Sequence, residues 1–192
     1  MCSWCWAFSP EIHALRKAHA NTLDFQVIAG VLRTGGEALS GQQITSLGKY
    51  WGTVMEKSGQ EFNTNFEPAE DFIYDTEPAC RALVTMRHMQ ADYVFDYLAA
   101  LQAAFYVRHE DITDAAILSE LAGQFINNKS RFLAQLNSTE MRAATQQDVA
   151  NRMEMGVDGF PSLLLRTENG VQALAQGYQN AAQVETVLAR LL

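Results

Sequence analysis

Cysteine is scarce in this chain of 192 residues: only Cys2, Cys5 and Cys80 are present, too few for a disulfide scaffold. One close pair and one distant residue instead point to a redox or metal motif in a reducing compartment. No basic cluster stands out and the formal charge is −8, which argues against nucleic acid and anionic membrane surfaces as partners. No apolar run is long enough to span a bilayer, and no charged-then-apolar leader is visible. Nothing in the chain therefore indicates export, and a cytoplasmic setting is expected. Leu32-Arg33-Thr34-Gly35-Gly36 lacks a following Gly-Lys-Ser/Thr, so it reads as a loop rather than a phosphate cradle. There is no internal repeat and no low-complexity tract.

What the chain does have is apolar mass, 48% hydrophobic residues with ten Phe, enough for a sizeable core in one large domain or a small domain carrying an insertion. Residues 4–20 read as a helix through Trp4, Phe8, Ile12 and Leu15, with Pro10 expected to kink it near Ser9. The apolar run at residues 24–29, ending at Gly30, reads as a strand. From about residue 40 to 155 the pattern is helical. Its stripes are Ile44/Leu47/Trp51/Val54, Leu83/Val84 after Thr76-Glu77-Pro78, Val94/Leu98/Leu101/Phe105 and Ile117/Leu118/Leu121/Phe125, with weaker ones at Phe132/Leu136 and Met141/Ala144/Val149. Residues 60–75 are less periodic and read as a loop; a structureless loop of that length is implausible, so they are assigned to a helical subdomain. Residues 162–166 and 171–176 then read as two strands joined at Glu168-Asn169-Gly170, and Val184, Val187, Leu188 and Leu191 stripe a terminal helix.

The pair Cys2-Ser3-Trp4-Cys5 opens the first helix. Residues three apart on a helix share a face, with β-carbons about 5–6 Å apart. That is compatible with a disulfide, whose α-carbons lie roughly 4.4–6.8 Å apart. The first turn has free backbone donors and the positive end of the helix dipole, and both stabilise a thiolate. Cys2 should gain most and act as the nucleophile, with Cys5, one turn deeper, resolving the mixed disulfide. A metal site and two merely buried thiols remain as alternatives. The metal reading would need more ligands, and His13, His19, His88 and His109 are scattered without metal-ligand spacing. At the far end of the chain, Gly156-Val157-Asp158-Gly159-Phe160-Pro161-Ser162 leads into a strand; a proline there marks an edge, a bend or a cis bond.

Cys2-Ser3-Trp4-Cys5 opening a helix, together with Gly159-Phe160-Pro161-Ser162 before a late hairpin, resembles the DsbA-like branch of the thioredoxin superfamily, and within it the FrnE-like and 2-hydroxychromene-2-carboxylate isomerase-like proteins. Asp75-Thr76-Glu77-Pro78-Ala79-Cys80-Arg81-Ala82, Leu101-Gln102-Ala103-Ala104-Phe105 and Asp111-Ile112-Thr113-Asp114 also look like stretches of that group. The resemblance implies an α/β thioredoxin-like fold, residues 1–39 and 156–192, carrying a large all-helical insertion at 40–155. It implies a cis Pro161 beside Cys2, with Phe160 offering backbone hydrogen bonds to an extended substrate and Ser3, Trp4, Phe160 and Pro161 forming an apolar binding surface.

The implied function is thiol–disulfide oxidoreduction on a protein or peptide substrate with no bound cofactor, glutathione being possible as co-substrate. The alternatives are a glutathione-linked isomerase of a small aromatic compound, which should have an enclosed pocket between helical insertion and thiols, and a non-enzymatic peptide-binding or adaptor protein. Three departures matter. The dipeptide Ser3-Trp4 lacks the histidine of DsbA itself, which removes one source of thiolate stabilisation. The isomerase branch has Ser in place of the first cysteine, whereas both thiols here favour dithiol chemistry. Finally, the family's strand before the thiol pair is absent, so the edges of the 25–29 and 163–165 strands would face each other unpaired, and a natural start upstream of Met1 is expected. Cys80 reads as a buried core residue.

Overall fold

A computed structural model describes residues 1–191. Its elements in chain order are α1 (Ser3–Ala18), α2 (Gly41–Ser58), α3 (Glu77–Met89), a short 3₁₀ turn (Ala91–Tyr93), α4 (Val94–Tyr106), α5 (Ala115–Ala122), α6 (Lys129–Leu136), α7 (Thr139–Glu154), β1 (Ser162–Thr167), β2 (Gly170–Gln176) and α8 (Ala181–Leu188). The helix starts follow side-chain chemistry. Ser40 and Gln43 form a reciprocal capping box on α2, and Asn180 and Gln183 do the same on α8. Asp114, Asn128 and Ser138 each accept a backbone N–H at the starts of α5, α6 and α7. The apolar stripes read from the sequence fall on helices, except that Phe125 and Leu191 lie in turns just past α5 and α8.

α1 runs unbroken through Pro10. A proline at this place frees the carbonyl four residues earlier, that of Trp6. Gln60 Nε2 takes up that carbonyl at 3.3 Å, so the lost helical bond is replaced from outside the helix.

Two cores form. The larger gathers around Trp51, whose ring lies 4.9 Å from that of Phe66, 5.2 Å from Tyr106 and 5.6 Å from Phe105. Residues 60–75 are not helical. They form an irregular segment, turning at residues 70–71, that buries Phe62, Phe66, Phe72 and Tyr74 in this core. Their backbone is tied by Asn63 N–H to the Tyr106 carbonyl (2.9 Å) and Leu39 N–H to the Phe72 carbonyl (3.0 Å). Gly48 on α2 allows the approach, because a β-carbon there would collide with the Thr64 carbonyl. The smaller core joins Phe8 and Leu15 of α1 to Leu165, Leu174 and Ala175 of the hairpin and to Val184 and Leu188 of α8. β1 and β2 pair antiparallel, with a bulge between Leu163 and Leu164.

The expected strand at residues 24–29 is a correction. The side chains alternate, with Phe25 and Val27 half-buried, Ala29 buried, and Gln26 and Ile28 exposed, but no ladder partner exists among the described residues. Side chains satisfy the backbone instead. Asp148 on α7 accepts the Ala29 N–H at 2.7 Å. Arg87 on α3 donates to the Val27 carbonyl and grips the same Asp148 with two bonds of 2.9 Å.

Candidate active site

The two chain ends meet at the thiol pair. Cys2 is the N-cap of α1, its carbonyl accepting from Cys5 N–H (3.0 Å) and Trp6 N–H (3.2 Å). Cys2 Sγ lies 3.7 Å from the carbonyl oxygen of Phe160, 158 positions away. The Phe160–Pro161 peptide bond is cis, and the Pro161 carbonyl accepts from Gly177 N–H at 2.8 Å. Phe160 N–H has no hydrogen-bond partner among the described residues. The Phe160 ring sits over Gly30, where any β-carbon would overlap it, so glycine is required for this close approach. The Arg152 guanidinium lies 5.5 Å from the centre of that ring.

The thiols are unequal. A hydrogen bond from the Cys5 side chain is the main force lowering Cys2 to about 7; burial opposes it, and the Cys5 backbone N–H adds to it. Cys5, on the other side of that bond and buried, is pushed well above the ordinary thiol range. Cys2 is therefore the thiol that ionises first.

Of the four residues expected to meet a substrate, Trp4 and Phe160 are half-buried and Pro161 is buried against the hairpin. Ser3 is buried at 7% exposure, so its side chain offers a substrate almost nothing to touch. Trp4 is held on two sides: its indole N–H donates to Tyr50 Oη at 2.7 Å, and its ring lies 5.7 Å from that of Tyr178. Tyr50 and Tyr178 were invisible as site residues in the sequence, since each is brought in by tertiary packing. The one available signal was Gly177, the strand breaker that sets Tyr178 beside the Pro161 loop.

Behind the thiols lies a cavity of about 310 Å³. Its walls are the thiol pair, residues 25–32, the start of β1 and the inward faces of α3 and α4. Cys80 packs against the cluster of Ala29, Val84 and Met141 and also lines this wall. Its partial exposure is to the cavity, and burial pushes its thiol up. The edges of residues 25–29 and of β1 both border this space and carry no ladder bonds to each other. Gln102 and Tyr106 also line it, and their buried Oε1 and Oη lack a hydrogen-bond partner among the described residues. Also among the described residues, no cluster of three or more His, Cys, Asp or Glu could hold a metal ion, and no helix is long and apolar enough to cross a membrane.

Comparison with known proteins matches this fold. A protein of Nitrosomonas europaea provisionally assigned as a protein disulfide isomerase superposes with a TM-score of 0.90 at 32% identity, over 99% of this chain and 92% of that one. The cytosolic disulfide reductase DsbM of Pseudomonas aeruginosa superposes with a TM-score of 0.81 at 19% identity, over 100% of this chain and 94% of that one. The same reductase has also been solved with GSH. The ClpXP adapter protein SpxH of Shouchella clausii is 22% identical over 174 residues, covering 90% of this chain. The chain spans only 57% of the length of that curated relative. The DSBA-like thioredoxin domain matches residues 1–189, and the chain belongs to that family.

Proposed function

We propose that the protein is a thiol–disulfide oxidoreductase in which Cys2 is the nucleophile and Cys5 the resolving thiol. The observation that carries this reading is the Cys2 thiol at the helix start, lowered by Cys5 and set 3.7 Å from the backbone of Phe160. In the reducing direction, the Cys2 thiolate attacks one sulfur of a substrate disulfide. A Cys2–substrate disulfide forms and the other substrate sulfur leaves as a thiolate that takes up a proton. Cys5 loses its proton and attacks Cys2 Sγ, which forms the Cys2–Cys5 disulfide and releases the second substrate thiol. Two electrons have passed from the protein to the substrate, and a low-molecular-weight thiol of the glutathione class would return them. The unpaired N–H of Phe160 is available to an extended peptide, in the manner of strand addition. In this reading residues 40–155 are an inserted helical unit, supported by a core that is mostly theirs and that α1 joins through Ala7.

The deciding experiment is a redox titration of the Cys2–Cys5 pair alongside a disulfide-reductase assay on a peptide substrate. Cys2→Ser should abolish turnover, and Cys5→Ser should trap the mixed disulfide. Wild-type rates in Cys2→Ser would overturn the assignment.

A small-molecule substrate is a second reading, favoured by the cavity of about 310 Å³ behind the thiols and its two unpartnered polar atoms on Gln102 and Tyr106. In the same assay, turnover of a glutathione conjugate with none on peptide disulfides would favour it. A partner protein retained after both thiols become Ser would favour the adaptor role of the SpxH relative.

A further inference from the structure

Trp4 sits between the two thiols in sequence and is the most elaborately held side chain of the site. Its indole N–H reaches out of α1 to Tyr50 on α2 at 2.7 Å. Its other side faces Tyr178, whose ring also meets Phe8 edge-on at 6.3 Å. Tyr178 is fixed in turn. Its hydroxyl lies 3.5 Å from Glu11 Oε1, and its neighbour Gly177 donates to the Pro161 carbonyl. Trp6 repeats the device one step along, donating from its indole to the Glu61 carbonyl at 2.8 Å. The first turn of α1 is thus stitched to Tyr50 and Glu61 by two indoles, and Trp4 links Tyr50, through its indole N–H, to the Tyr178 ring, whose neighbour Gly177 bonds the Pro161 carbonyl.

We infer that Tyr50 is a positioning and specificity-determining residue, whose hydroxyl holds the Trp4 indole as a fixed apolar wall beside Cys2 for a disulfide-bearing peptide with an apolar side chain next to its cysteine. The inference rests on the oxidoreductase reading above. Tyr50 is about half exposed and belongs to neither core, so its conservation of shape is not needed for packing. An indole has one polar hydrogen, and with Tyr50 Oη accepting it the ring has a single preferred orientation. Without that acceptor the ring is free to turn on its own torsions, and the wall loses its flat face. A groove wall built from rigid aromatic rings recognises apolar side chains at small entropic cost. Small disulfides that touch only Cys2 do not use the wall.

Tyr50→Phe removes only the acceptor oxygen. Reduction is measured for two peptides carrying the same disulfide, one with Leu and one with Gly beside the cysteine, and for bis(2-hydroxyethyl) disulfide. The expected result is KM for the Leu peptide raised about fivefold, with kcat, the Gly peptide and the small disulfide all within about twofold of wild type. An unchanged KM for the Leu peptide, or the same change for all three substrates, overturns the inference. Two further measurements hold even where turnover fails. The indole N–H of Trp4, assigned by Trp4→Phe, should be protected from hydrogen exchange in the wild type and lose that protection in Tyr50→Phe. The Leu peptide should bind about fivefold more weakly to Cys2→Ser/Tyr50→Phe than to Cys2→Ser. Equal exchange or equal binding in each pair overturns the inference. Absence of turnover in the wild type alone would sink the oxidoreductase reading and leave the wall standing.

Discussion

At the scale of single residues, two thiols of the same type at the proposed site are held in unequal environments. The Cys5 S–H donates to Cys2 and so favours charge there, while the donation and burial keep its own proton in place. The helix-start argument from the sequence credited the backbone alone for favouring charge on Cys2; in the structure the Cys5 side chain is the larger influence. This difference has a sign that can be checked. Cys5→Ala deletes the donor, so the Cys2 thiolate loses stabilisation and its pKa must rise. The pH midpoint for alkylation of Cys2, at about 7 in the reduced protein, should move upward toward the ordinary thiol range near 8.5. At neutral pH the alkylation rate should fall several-fold. A midpoint unmoved in Cys5→Ala would mean that the backbone donors suffice.

At the scale of elements, the segment before Gly30 shows what a sequence pattern can and cannot carry. The alternation of Phe25, Val27 and Ala29 against Gln26 and Ile28 is legible because extended chain has a period of two whether or not it has a neighbour. The ladder is not legible, and here Asp148, 119 positions away, takes the Ala29 N–H. Residues 60–75 fail for the converse reason: four buried aromatics follow no period, so their burial was hidden while the neighbouring helices were plain. The hairpin was readable because turn chemistry is local, while the approach of Phe160 to Cys2 was expected only from the combination of Cys-x-x-Cys and Gly-Phe-Pro. The clasp makes a prediction at this scale. Asp148 is 5% exposed, and its removal leaves the Ala29 N–H without its acceptor and the Arg87 guanidinium with only the Val27 carbonyl. Asp148→Ala should cost about 3–5 kcal/mol, read from chemical denaturation, with exchange protection lost at the Ala29 amide. A cost under about 1 kcal/mol would show that the segment is held by Phe25 and Val27 instead.

At the scale of the whole molecule, the question is whether the two cores fold as one. α1 belongs to both: Ala7 is buried in the larger core around Trp51, while Phe8 and Leu15 are buried in the smaller one with the hairpin and α8. Trp4, Trp6 and the Gln60 bond to the Trp6 carbonyl add polar ties across the same helix. A rigid helix shared in this way transmits the loss of one core to the other, because α1 cannot keep its amphipathic faces satisfied when either partner leaves. Leu15 is 2% exposed and lies wholly on the smaller-core side. Leu15→Ala should therefore cost about 3 kcal/mol in the smaller core. It should also lower the exchange protection of the Trp51, Val54 and Phe105 amides in the larger one by a matching amount. Far-UV and near-UV circular dichroism should report a single coincident transition for wild type and variant alike. Wild-type protection in the larger core, with the hairpin already open, would mean that the thiols sit on a hinge between independent units, and the groove beside Pro161 would then change width with temperature.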